Sequence, residues 1–177
     1  TSAGAMNAVV LAHGWLDGGA DGARAALRSF WTALAATIPI DITRHGVDGG
    51  LHLAPGVKLW MLLAHYVAPA QLNPFDLNPL RELLARQIDF ERLRRRSRMR
   101  LHIAATNADT GALRLFCNAE LDVDALLASG CLPAVFRAPR IDGQTYWDGG
   151  YSANPAVFPL LRAARARDTL LVLLSPL

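Results

Sequence analysis

What this chain lacks narrows its partners first. It has a single lysine, Lys58, and arginine supplies the rest of its 18 basic residues. Aromatic residues make up only 7% of it. They are not interleaved with the arginines as a base-stacking surface requires, so nucleic acid is not an expected partner. Its two cysteines, Cys117 and Cys131, stand too far apart for a metal or redox motif. They read as free thiols in a reducing compartment, which points to the cytoplasm. The most apolar stretch, VKLWMLLAHYVAPA, is too short to cross a bilayer and carries Lys58 and His65. There is no internal repeat and no low-complexity linker.

What is present fits one domain over residues 1–177. Hydrophobic residues are 52% of the sequence, enough for a sizeable core with buried sheet. The net charge is +3, and Arg92, Arg94, Arg95, Arg96, Arg98 and Arg100 crowd one segment. A solvated helix face is the plain reading of that run. A patch for anionic lipid headgroups, and so peripheral contact with a membrane surface, is the functional one.

Periodicity divides the chain in two. SAGAMNAVVLAHG predicts a helix that stops at Gly14, followed by a turn through WLDGGADG. ARAALRSFWTALAA predicts a second helix with Ala26, Phe30 and Leu34 along its buried stripe. Residues 37 to 56 read as loop, and Lys58 to Val67 as an apolar helix around Trp60, Met61 and Leu62. NPLRELLARQ predicts a helix with proline at its start, and DFERLRRRSR a basic helix or turn. Then strands begin: MRLHIAATN and GALRLFCN about an ADTG turn, and a hairpin at Asp142-Gly143. DVDALLASG is a short helix between them. NPAVFPLLRAARAR predicts a helix capped by Asn154 with Pro155 behind it, and DTLLVLLSP an apolar strand covered on both faces.

Asp-Gly-Gly occurs three times, at Asp17, Asp48 and Asp148. Asp17 follows the far end of the first helix, and Asp48 sits in a loop with nothing local to fix it. Asp148 ends a strand-like run, where open α/β folds gather their catalytic groups. At the other end of the chain Ser2 stands between Thr1 and the small residues Ala3 and Gly4, ahead of a helix. A serine on such a cramped turn projects over the helix start, where free N–H groups hold negative charge. Its plain alternative is a helix cap. Tyr146 and Trp147 would shelter Asp148. His13, His65 and His102 read as core or surface histidines. His45 and His52 flank Asp48, but no element fixes them as metal ligands.

TSAGA at the start and IDGQTYWDGGYSANPAVFPLL near the end resemble the two catalytic motifs of the patatin-like phospholipases. NPFDLNPLRELL, IAATNADTG and LASGCLPAVF follow in the order bacterial members show. The resemblance implies a three-layer α/β/α sandwich. It implies a serine lipid acyl hydrolase (phospholipase, lysophospholipase or esterase) that works through a Ser–Asp dyad and an acyl-enzyme. It requires neither cofactor nor metal. Residue by residue, Ser2 matches the nucleophile, Asp148 the general base, and the Ala3 N–H one donor of the oxyanion hole. The glycine of the elbow, the strand leading into it and the upstream glycine-rich loop are expected on a segment preceding Thr1, either continuous with it or retained as a separate piece. Two alternatives stand beside this: an inactive fragment or scaffold of the same fold, and an N-terminal-nucleophile hydrolase acting through Thr1.

Overall fold

The computed structural model of the chain describes residues 1–37, 43–45, 51–53, 78–133, 136–153, 156–163 and 168–172. The Asp48 loop, the apolar helix expected over Lys58 to Val67, and the Asn154–Pro155 cap lie outside the described residues.

The chain begins in helix. α1 (Ser2–Thr37) is two helical arms joined at Gly18 and Gly19, whose backbone angles are not helical. The helix therefore runs through Gly14 instead of stopping there, and the bend falls at Gly18–Gly19. The reason is packing. A Cβ on Gly14 would lie 2.5 Å from that of Ala26, so Gly14 is where the two arms cross most closely. Gly19, with φ +59°, makes the reversal that a side chain would oppose. On the second arm Phe30 is fully buried, with Ala26 and Leu34 packed beside it on the expected stripe.

A short antiparallel pair, β1 (Thr43–His45) and β2 (Leu51–Leu53), occupies part of the region expected to be loop. α2 (Pro79–Gln87) starts behind Asn78, whose side chain accepts from the Arg81 N–H. α3 (Phe90–Arg96) starts behind Asp89 in the same manner. Each cap satisfies an N–H that the first helical turn leaves without a partner.

The main sheet has the order β4–β3–β6–β5, and its pairings are all antiparallel. β3 (His102–Asn107) and β4 (Leu113–Cys117) turn about Asn107, whose side-chain oxygen accepts from the N–H groups of Asp109 and Thr110. α4 (Val123–Ser129) is capped by Asp122 and follows. β5 (Arg140–Ile141) and β6 (Gln144–Asp148) form the hairpin expected at Asp142-Gly143. Both loop residues have positive φ, as the twist-matched two-residue turn demands. α5 (Val157–Ala163) comes last.

Cross-strand partners share a face, and the register pairs Ile103 with Phe116, Ala105 with Asp148 and Asn107 with Tyr146. That face carries the core. Ile103, Ala105, Phe116 and Tyr146 pack with Ala5, Met6, Val9 and Val10 of α1, Leu83 and Leu84 of α2, Leu93 of α3, and the buried run Ala125–Ala128 of α4. Burying each large side chain contributes roughly 1.5–3 kcal/mol. The expectation of α/β architecture holds as a mixed helix and sheet fold, in which the described residues form a helical layer on a sheet. The strand expected from Asp168 is absent over residues 168–172. Leu170 and Val172 are 90% and 76% exposed, and no described strand pairs with them. An apolar run alone does not make a strand without a neighbouring edge to bond.

Candidate active site

Residue Ser2 enters α1 with φ +48°, in the left-handed region that a serine adopts only under constraint. Such a conformation costs on the order of 1–3 kcal/mol and persists where surrounding contacts hold it. Thr1 lies just outside the helix and accepts from the Ala5 N–H through its carbonyl. It is not on a strand, the setting that a Thr1 nucleophile needs. The strained turn lifts the Ser2 hydroxyl over the helix start and toward the sheet, where it donates to Oδ2 of Asp148.

Asp148 is held through its backbone as well as its carboxylate. β6 delivers Asp148 on the face that α1 covers, which is why residues so distant in sequence meet. The Asp148 N–H donates to the Cys131 carbonyl at 2.9 Å, just past α4. Its own carbonyl accepts from the Thr106 hydroxyl at 2.8 Å. Its Oδ1 accepts from the Gly150 N–H at 2.7 Å. Burial pushes the Asp148 carboxyl above the usual carboxylate range, against the opposing pull of the Gly150 N–H.

The two glycines after it have separate causes. A Cβ on Gly149 would lie 2.4 Å from the Ala104 carbonyl oxygen and 2.7 Å from the Thr1 methyl. Only glycine lets the turn pass between β3 and the entry to α1. Gly150 contributes its N–H, and a Cβ there would sit 3.2 Å from Oδ1 of Asp148. Ala3 is in the first turn of α1, so its N–H has no intrahelical acceptor and lies at the positive end of the helix dipole. The arrangement provides a hydroxyl, a buried base with a raised pKa and a helix start beside them, the parts that nucleophilic acyl transfer needs.

The other candidates fall elsewhere. Asp17 is half exposed at the bend of α1 and pairs with Arg92 at 2.5 Å. That hydrogen bond holds its carboxyl below the ordinary range. His102 sits on β3 with Nδ1 3.5 Å from the Cys117 thiol. His45 and His52 lie on β1 and β2, where His45 pairs with Leu51 and His52 with Arg44. Among the described residues no three His, Cys, Asp or Glu side chains gather at ligand spacing. In the basic segment Arg95 pairs with Glu91 and Arg94 donates to the Leu121 carbonyl. Trp147 turns to Tyr151, and Tyr146 packs edge-on against Phe116. Among the described residues no helix is long and apolar enough to cross a membrane.

Sequence reasoning missed three groups that fix Asp148: the Thr106 hydroxyl, the Cys131 carbonyl and the Gly150 N–H. Backbone groups leave no mark in side-chain identity. Thr106, at the end of a strand that reads as core, gives no local signal of a polar task.

A family model described as patatin-like phospholipase matches residues 1–161. No curated protein and no solved structure matches the chain.

Proposed function

The chain belongs to the patatin-like phospholipase family, and from that premise we propose that it is a serine hydrolase of acyl lipid esters using Ser2 and Asp148. The observation that carries this reading is the Ser2 hydroxyl, raised on a left-handed turn and bonded to a buried carboxylate. Asp148 Oδ2 takes the Ser2 proton as Oγ attacks the ester carbonyl carbon. Negative charge develops on the carbonyl oxygen, facing the Ala3 N–H at the start of α1. The tetrahedral adduct collapses, the carbon–oxygen ester bond breaks, and the leaving alcohol takes the proton back from Asp148. Water then gives a proton to Asp148 and attacks the acyl-enzyme, releasing the fatty acid and restoring Ser2. No step uses a cofactor or metal.

Burial serves the base in this scheme. An aspartate with an ordinary pKa is too weak a base to share a proton at neutral pH, and a raised pKa brings it nearer to the working range. Among the described residues, the Ala3 N–H at the start of α1 is placed to meet the charge that develops on the carbonyl oxygen. Phospholipid, lysophospholipid and simpler acyl esters are the candidate substrates, met in the cytoplasm or at a membrane surface with which the protein is in peripheral contact. The test is a panel of these esters on the full-length protein beside Ser2→Ala. Release of fatty acid by the wild type and not by the variant supports the reading. Equal release by both, or none by either, rejects it.

A further inference from the structure

We propose that Thr106 is a positioning residue for Asp148, acting through the backbone of the turn rather than on substrate. The inference rests on Asp148 being the base. β3 and β6 pair only from Asn107–Tyr146 to Ala105–Asp148. Beyond Asp148 the chain leaves the sheet into the tight turn Gly149–Tyr151, so the Asp148 carbonyl is at the end of the strand ladder. The Thr106 hydroxyl takes up that carbonyl at 2.8 Å. The same hydroxyl lies 2.8 Å from the Ser152 hydroxyl on the far side of the turn. Ser152 in turn reaches the Gly149 carbonyl through its own N–H at 3.2 Å.

One buried oxygen thus joins both ends of the Asp-Gly-Gly turn to β3. Thr106 is only 3% exposed, so water does not replace it freely. The Asp148–Gly149 peptide plane sets where the carboxylate points and where the Gly150 N–H meets it. Without the hydroxyl, the Asp148 carbonyl is buried next to an apolar group, and the turn must rotate to find another donor. Asp148 then loses its fixed aim at Ser2, while the substrate-binding surface is unchanged. The expected signature is a loss in kcat with little change in KM, since an ångström of misplacement at a reacting group costs up to about 10²-fold.

The experiment compares wild type, Thr106→Val and Thr106→Ser in the full-length protein, on a short-chain p-nitrophenyl ester, with melting curves as a folding control. Thr106→Val should lower kcat by roughly 10- to 100-fold, leave KM near wild type and move the acid limb of the kcat–pH profile. Thr106→Ser, which keeps the hydroxyl, should restore both. Thr106→Ala replaces the valine variant if that one does not fold. A folded variant without the hydroxyl that keeps wild-type kcat overturns the proposal. So does an equal loss in Thr106→Ser, which would mark a packing effect of the methyl group. An active wild type beside either result leaves the dyad standing. A wild type with no ester hydrolysis removes the dyad and this inference together.

Discussion

Asp17-Gly18-Gly19 and Asp148-Gly149-Gly150 are the same tripeptide in two settings. At Asp17 the carboxylate is half in water, paired with Arg92, and easier to ionise than a free aspartate. At Asp148 it is buried against a serine hydroxyl and harder to ionise. The glycines differ as well. Gly19 is needed for its positive φ, with open space where a Cβ would be. Gly149 is needed because another strand passes where its side chain would be. A motif therefore carries chemistry only through what the fold places around it. Here a helix start and a strand end supply that setting to one copy and withhold it from the other.

The sharpest way to break this contrast is to neutralise each aspartate in turn. Asp148→Asn should lower ester hydrolysis by about 10²–10⁴-fold, the usual contribution of a general base. Asp17→Asn should stay within about twofold, as surface changes do. The same pair should separate in stability with opposite sign. Burial raises the folded-state pKa of Asp148, so the wild type loses stability as pH rises from the ordinary carboxylate range through that raised value. Asparagine imitates the protonated form. Asp148→Asn should therefore melt no lower than wild type at neutral pH, and the difference should shrink on acidification. A large drop in its melting temperature at pH 7 contradicts the assigned cause of the shift.

Next come the glycines. Gly149→Ala forces the turn away from Ala104 and Thr1. It should cost roughly 1–3 kcal/mol, as overpacking does, and also abolish most activity. Gly19→Ala should cost a similar 1–3 kcal/mol through backbone strain and leave kcat in the folded fraction unchanged. Denaturant melts paired with initial rates separate the two. Smaller again is the acid limb of the wild-type rate profile. It should lie above the ordinary aspartate range and move little with salt, because the base is buried. The smallest effect is expected from Arg92→Ala, about 0.2–1 kcal/mol for a partly exposed pair. It should weaken in high salt and not touch the rate.

The sequence made local features legible wherever a short-range rule decides them. The proline-led start of α2, the short helix α4 and the Asp142-Gly143 hairpin turn were readable, because each depends on a few adjacent residues. Asp148 was readable as the aspartate that ends a strand. The turn at WLDGGADG was legible and holds the bend at Gly18–Gly19, but the first helix was ended too early because Gly14 reads as a stop. Only the packing of Ala26 against Gly14 tells a crossing point from a turn. Over residues 168–172 the expected strand does not form, for the complementary reason that a strand depends on partners that hydropathy does not report. Within the site, Ser2 and Asp148 were legible as residue types. What holds them was not: Thr106 lies 42 positions from Asp148, and the other two contacts are backbone groups.

The central claim is that Ser2 is a nucleophile activated by Asp148. Peptide mapping after treatment of the full-length protein with a fluorophosphonate ester tests it most directly, with Asp148→Asn and Asp17→Asn treated in parallel. The expected result is a single phosphonylated residue, Ser2, labelled at the same rate in wild type and Asp17→Asn and far more slowly in Asp148→Asn. Labelling at Thr1, labelling of no residue, or an undiminished rate at Ser2 in Asp148→Asn would contradict it.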